Sequence, residues 1–361
     1  MQLPADLSAT LQSRLDEIPS KDIVRAAGEL SKRYRASGAL SSGPAVQSPL
    51  DAAAYAAYRL PASYAAIRAV LDEVRERRPD LDPSSLLDIG GGPGTAAWAA
   101  IGTWPDLDHI TILERDPWMI QIGKDLAAGA NSPVIRHAIW RQGDIDGLWP
   151  AQPILGSEIQ PADITVAAYV MGELSSSALT EFVHRLWEYT ADTCVILEPG
   201  TPRGFALIRQ AGDQLVSEGV HVLAPFPSTG IAGANSTWHC LEGENDWCHF
   251  SQRVPRTRML RNVKGATLSY EDEKYSYIAV SRQSGLPIAA RVIRHPQVRS
   301  GHIRLVLCTA EGVKHVIVAR SNRQAYKLAR DLKWGSAIPV EEAGLYGLDG
   351  PFQSQCCNPP S

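Results

Sequence analysis

The stretch LLDIGGGPGT, residues 86–95, constrains this chain more than any other. Its first residues suit a short buried strand, glycines follow at once, and TAAWAAI then reads as a helix. A strand that turns into a helix through glycines opens a doubly wound α/β sheet, with a ligand seated against the helix N-terminus. Glycine suits the turn because it leaves room for close backbone approach and tolerates left-handed φ values. Asp88, Gly90, Gly91, Gly92 and Gly94 therefore mark a candidate ligand site. Such a turn alone is weak evidence, since dinucleotide enzymes use a related one.

The downstream pattern sharpens it. HITILERD reads as a second strand whose Glu114, about twenty residues past the glycines, is placed to accept ribose hydroxyls. VIRHAIWRQGDI reads as a third, with Asp144 at its end for an adenine amino group. ADITVAAYVMGEL and TCVILEPG read as the fourth and fifth, with helical patterns such as SALTEFVHRLWEYTA between strands. Acid, glycines, acid and acid at strand ends resemble the class I S-adenosylmethionine-dependent methyltransferases. The resemblance implies a Rossmann-like α/β fold and a cofactor site of Asp88, Gly90, Gly92, Gly94, Glu114 and Asp144. After the fourth strand, AAYVMGEL offers no proline pair and no cysteine to attack a pyrimidine. Glu173 is the only ionisable residue there and reads as a helix cap. NPPS at 358–361 follows no strand and reads as coincidence.

The chain divides into an N-terminal helical region (1–80), the Rossmann-like domain (81–220), a cysteine-containing loop region (221–265), a basic β-rich unit (266–337) and a tail (338–361). Hydrophobic content of 44% with 20% charged residues excludes a disordered chain. No apolar run reaches the roughly 18 residues a membrane span needs. MQLPADLSATLQSRLDE has neither an apolar core nor an Arg- and Ser-rich, acid-poor character, so a bacterial cytoplasm is expected. The net charge of −4 hides an asymmetry: residues 253–304 hold eleven Lys/Arg and three Asp/Glu, a local +8 against −12 elsewhere. That pattern suits a polyanion, with Arg253, Arg256, Arg258, Arg261 and Lys264 as its contacts. It disfavours a small-molecule methyltransferase, which needs no extended cationic surface.

Six cysteines over 361 residues do not form a disulfide framework. In HCLEGENDWCHFSQR, Cys240 and Cys248 lack the tight spacing of a zinc ribbon and read first as buried thiols. However, YRLPASYAA, LLDIGGGPGT, EPGTPRGF, DWCHFSQRVPR, KGATLSYEDEKYSYIAV, RVIRHPQVRSGHIRLVLCT and LKWG together resemble the ribosomal small-subunit methyltransferase-like family along most of the chain. The resemblance implies association with small-subunit ribosomal RNA during assembly of the subunit, with no DNA or membrane partner. Within it, an assembly platform and an active rRNA methyltransferase both remain open. It also implies a four-cysteine metal site, an iron–sulfur cluster in mitochondrial members. Cys240, Cys248 and Cys308 match three of the family cysteines, and Phe226 in LAPFPSTG stands where the first should be. His239 and His249 are the candidate fourth ligands. A cluster, a Cys₃His zinc and no metal at all are therefore open alternatives. Cys194 reads as a core residue, and Cys356 and Cys357 lie in the tail.

Overall fold

The computed structural model describes residues 1–36, 45–143, 159–227, 246–256, 261 and 267–348. Asp144, His239, Cys240, Arg258, Lys264, Cys356 and Cys357 lie outside the described residues.

Four helices precede the first strand: α1 (Ala5–Asp16), α2 (Ser20–Ala36), α3 (Pro49–Tyr58) and α4 (Leu60–Arg77). The Ser48 hydroxyl accepts the Asp51 amide and Pro49 occupies the first turn of α3, a strong start signal. Pro61 sits in the first turn of α4, where a missing N–H costs nothing.

The central sheet uses β1 (Ser85–Ile89), β2 (His109–Glu114), β3 (Ile139–Gln142), β4 (Ala162–Ala168) and β5 (Thr190–Pro199), parallel in the order β3-β2-β1-β4-β5. Beyond β5 come three more strands: β6 (His221–Ala224), β7 (Phe250–Pro255) and β8 (Tyr270–Ser281). β8 lies antiparallel between β5 and β6, and its first half carries β7. Five parallel strands followed by an antiparallel one make the Rossmann-like sheet of the class I methyltransferase fold, as the glycine turn implied.

Both faces of this sheet are covered, which explains its near-continuous apolar strands. Leu86, Ile110, Ile112 and Val166 pack on the side of α3, α4, α5 (Thr95–Thr103) and α6 (Pro117–Ala128). Leu87, Ile89, Leu113 and Ile196 pack on the side of α8 (Ser176–Glu188) and α9 (Pro202–Ser217), with the short α7 (Pro133–Arg136) preceding β3. Cys194 is a buried free thiol in that second core.

A second, antiparallel sheet holds β9 (Ile288–Val292), β10 (Gln297–Val298), β11 (His302–Thr309), β12 (Gly312–Ala319) and β13 (Ala337–Pro339). The C-terminal helix Arg323–Asp331 lays Ala325 and Ala329 over Ile303, Leu305, Leu307 and Val318 on one face of it. The segment 270–281 was grouped by its sequence with these C-terminal strands, yet it hydrogen-bonds into the central sheet. Its unbroken buried half, Tyr275–Ser281, is the mark of an interior strand, but the partner that makes it one lies far away in sequence. Among the described residues no helix is long and apolar enough to cross a membrane.

Candidate functional site

The glycine turn enters α5 through left-handed backbone. Gly90, Gly92 and Gly94 take positive φ values of 64°, 55° and 79°. The amides of Gly90 and Gly91 donate to the Leu113 carbonyl of the neighbouring strand, locking the turn against β2. At Gly91 the constraint is space, because a Cβ there would lie 2.6 Å from Ile112 Cγ2 and 2.7 Å from Asp88 Oδ2. Asp88 therefore lies beneath the turn. It is 1% exposed. Burial pushes its carboxyl up to about 7, against the opposing hydrogen bonds from the Ala96 and Ala97 amides of α5. Its Oδ2 has no partner among the described residues. Asp88 thus organises the loop and helix.

Glu114 joins the turn to the next helix. Its Oε2 accepts the Gly92 amide at 2.8 Å and its Oε1 the Asp116 amide at 2.9 Å. Burial raises its pKa; the two amides act the other way. Asp116 caps α6 by accepting the amides of Trp118 and Met119. Two aromatics not singled out by sequence flank this region. The Trp140 ring packs against Gly94 and Gly123, and Trp118 is exposed beside the Asp116 cap. The only sequence signal for them was an aromatic beside each strand-end acid.

The loop after β4 is fully engaged. Tyr169 adopts a left-handed φ of 63°, a costly conformation for a residue with a side chain. Its hydroxyl donates to Glu273 Oε1 at 3.3 Å. Glu273 is in turn held by both Arg59 terminal nitrogens, at 3.1 and 3.2 Å, with the guanidinium 5.2 Å from the Tyr169 ring centroid. Glu198, 2% exposed at the end of β5, accepts the Met171 amide at 2.8 Å. Burial pushes its carboxyl up to about 8, with the amides of residues 170–172 opposing. Glu173 does not cap a helix: it pairs with Arg115 at 2.5 Å, and Ser175 caps α8 instead. Every carboxylate described in this loop is thus held by a partner.

The cysteine region closes the gap between the two sheets. Cys248 is 4% exposed and Phe226 is 4% exposed, both within the core under α4 and β8. Burial pushes the Cys248 thiol up to about 12, although the Arg294 and Arg291 guanidiniums oppose it. Cys308, on β11, is in register with Arg291 of β9 and is disulfide-bonded. The His249 ring stacks on Trp247 (centroids 5.3 Å) and meets Trp334 edge-on at 4.9 Å. Among the described residues no group of three metal-ligating side chains converges. With an aromatic ring at position 226, the described donors do not make a four-ligand centre.

The predicted polyanion contacts are placed differently from their sequence grouping. Arg253 lies opposite Asp272 on the β7–β8 ladder, bonds it at 2.9 and 3.2 Å, and stacks on Tyr270 at 4.0 Å. Arg256, with 15% of its side chain exposed, is bound to Glu271 at 3.2 Å. Asp272 therefore sits directly across from Arg253, while Glu271, across from Val254, reaches Arg256 diagonally. Arg261 is half-buried, with an Nε that has no partner among the described residues.

Comparison with known proteins bears on the same residues. A family model described as "Mitochondrial small ribosomal subunit Rsm22" matches residues 49–339. The human "Ribosome assembly protein METTL17, mitochondrial" is 30% identical over 300 residues, covering 79% of this chain and 62% of that protein. "Rsm22-cox11 tandem protein 2, mitochondrial" of Schizosaccharomyces pombe is 24% identical over 343 residues, covering 80% of this chain and 43% of that protein. The chain thus spans less than two thirds of the length of either relative. A solved magnesium protoporphyrin IX methyltransferase from Synechocystis with bound S-adenosylmethionine is 12% identical, with a TM-score of 0.38 over 74% of this chain and 98% of that one. The expectation of a bacterial cytoplasm is overturned, because the human and yeast relatives are mitochondrial proteins. Compartment is addressed by segments independent of the fold they deliver, so the composition of one end was a poor guide.

Proposed function

The chain belongs to the family described as mitochondrial small ribosomal subunit Rsm22, and on that premise we propose that it binds S-adenosylmethionine and acts in assembly of the small ribosomal subunit. The observation that carries this reading is the extent of the family match, which runs through the glycine turn, the loop after β4 and the small sheet. The backbone of Gly90, Gly92 and Gly94 would seat the cofactor at the N-terminus of α5, with Glu114 at the ribose and Asp144 at the adenine. When bound, the cofactor supplies an electrophilic methyl group. The fold acts chiefly as a binding platform, because the ionisable groups after β4 are held by Arg59, Arg115 and backbone amides.

Tagged full-length protein is expected to co-sediment with unfinished small subunits, and deleting its gene to deplete mature ones. A subunit profile unchanged by deletion would remove the assembly role. A methylated ribosomal nucleotide that disappears on deletion, and fails to return with Glu114→Ala, would replace the platform by an active rRNA methyltransferase.

A metal centre would require Cys308 to be released from its disulfide as a thiolate, with Cys240 beside Cys248 and with His239 or His249 standing in for the thiolate that Phe226 replaces. Iron, sulfide and zinc analysis of protein purified without oxygen tests this. Phe226→Cys is expected to raise the metal content by completing the thiolate set. Absence of metal from both proteins would leave the cysteines as core residues.

A further inference from the structure

The fold divides the charge that the sequence presents as one basic stretch. On the β7–β8 ladder Arg253 and Arg256 are matched by acids. The unit from 288 to 339 is different, holding ten Lys/Arg and only two Asp/Glu. Arg291 and Arg294 leave it electrically, pairing with Glu73 and Asp246 of the larger body, and Lys314 pairs with Glu311. Arg299, Arg304, Arg320, Arg323, Lys327, Arg330 and Lys333 remain. All seven are exposed, and among the described residues none lies within 4.0 Å of a carboxylate oxygen.

Their placement follows from register. Residues directly opposite on antiparallel strands share a face. Arg304 is opposite Gln297 on one side and Ile317 on the other, and the Arg299 amide donates to His302. Arg299, Arg304 and Ile317 therefore lie on the face that the C-terminal helix leaves uncovered. Ile317 is 63% exposed there, beside Arg304, whose Nε donates to His302 Nε2 at 3.2 Å. Arg320 ends β12 at the same edge, its amide donating to Gly301 at 2.9 Å. The next helix then carries Arg323, Lys327 and Arg330 at i, i+4 and i+7, one stripe opposite the buried Ala325 and Ala329. Cations thus run from the open sheet face, around its end, onto the helix.

We propose that this end of the small sheet, and not the β7–β8 ladder, is the surface that docks on RNA. The proposal rests on the small-subunit reading above and names the part of the chain that would make the contact. A protein partner presents both signs of charge and is met by both; two acids among 52 residues suit a phosphate backbone better. Arginine adds forked hydrogen bonds to phosphate, and the flat Ile317–His302 surface gives a nucleobase or sugar an apolar seat.

The test uses the full chain and a labelled stem–loop of small-subunit ribosomal RNA, with binding followed between about 0.05 and 0.2 M salt. The variant Arg299→Gln/Arg304→Gln/Arg320→Gln is expected to weaken binding about 10- to 50-fold. Its slope of log K against log salt should be shallower by about 2, the loss of three phosphate contacts on a single strand. Its melting temperature should match the unsubstituted chain, since all three side chains are exposed. Arg253→Gln/Arg256→Gln is expected to leave the slope unchanged. The reverse pattern would return the interface to the ladder and overturn the proposal. If the chain joins assembling subunits without binding RNA, and the triple variant weakens that association, the partner is a ribosomal protein. The assembly role would then stand while this proposal falls.

Discussion

Arg291→Met is expected to lower the unfolding free energy by about 3–5 kcal/mol, the cost of leaving one member of a buried ion pair behind. Arg291 is 1% exposed, yet it joins three separate parts of the molecule. It pairs with Glu73 on α4, donates from Nε to the Pro225 carbonyl at 2.5 Å, and donates to the Gly335 carbonyl at 2.8 Å. It is therefore the fastening between the helical region, the segment after β6 and the small sheet. Urea unfolding of the two proteins measures the effect, and a loss below about 1 kcal/mol would show the clamp to be idle. The double variant Glu73→Leu/Arg291→Met should lose less than the sum of the single changes, because it strands no charge.

The pH dependence gives an independent check. Burial pushes the Glu73 carboxyl up, but the charge and hydrogen bond of Arg291, with the charge of Arg77, hold it below its usual range. A depressed folded pKa means that this contribution is complete above the unfolded value of about 4.3 and is lost as pH falls through the folded one. In Arg291→Met burial acts on Glu73 with little opposition. Its pKa should then rise above the unfolded value, so that stability falls as pH increases past about 4. Parallel pH–stability curves for the two proteins would contradict this account.

Glu114→Ala is expected to weaken S-adenosylmethionine binding by at least about 100-fold in calorimetry. Two effects add. The ribose loses a charged acceptor, with each such hydrogen bond worth about 1.5–3 kcal/mol. The Gly92 and Asp116 amides also lose the carboxylate that fixes the turn and the start of α6. Glu114→Gln keeps the shape and one acceptor oxygen, so its loss should be smaller. Equal binding by Glu114→Ala and the unsubstituted chain would mean that the glycine turn serves packing alone. Retained binding together with lost binding in Asp88→Ala would instead move the cofactor contact to the acid beneath the loop.

The parts of this protein that could be read from sequence are those encoded by neighbours in the chain. A strand, four glycines and a helix within residues 85–103 specify their own geometry, because left-handed φ values and close backbone approach are local demands. Glu114 at the end of β2 was legible for the same reason. The alternation of the two cores is visible on β1 itself, where Leu86 and Leu87 face opposite ways. Family resemblance reached further, since long specific blocks carry an entire topology with them.

Tertiary structure alone decided which charges remain available. Eleven cations between 253 and 304 look like one patch in a linear count. A cross-strand pair forms between residues opposite in register, however, and register is set by packing across the whole sheet. Asp272 therefore takes Arg253 opposite it, and Glu271, opposite Val254, takes Arg256 on the diagonal. Arg291 is drawn inward to Glu73, 218 residues earlier, while Arg299 and Arg304 are left on an uncovered face. Asp88 shows the same division on a smaller scale. Its place before the glycines marked it as part of the cofactor motif, but only the close approach of Gly91 shows that its carboxyl lies under the turn. Sequence determined which chemical groups the chain carries and how short segments bend. Folding determined which of those groups face each other and which face solvent, because contacts between distant residues depend on packing that no local pattern records.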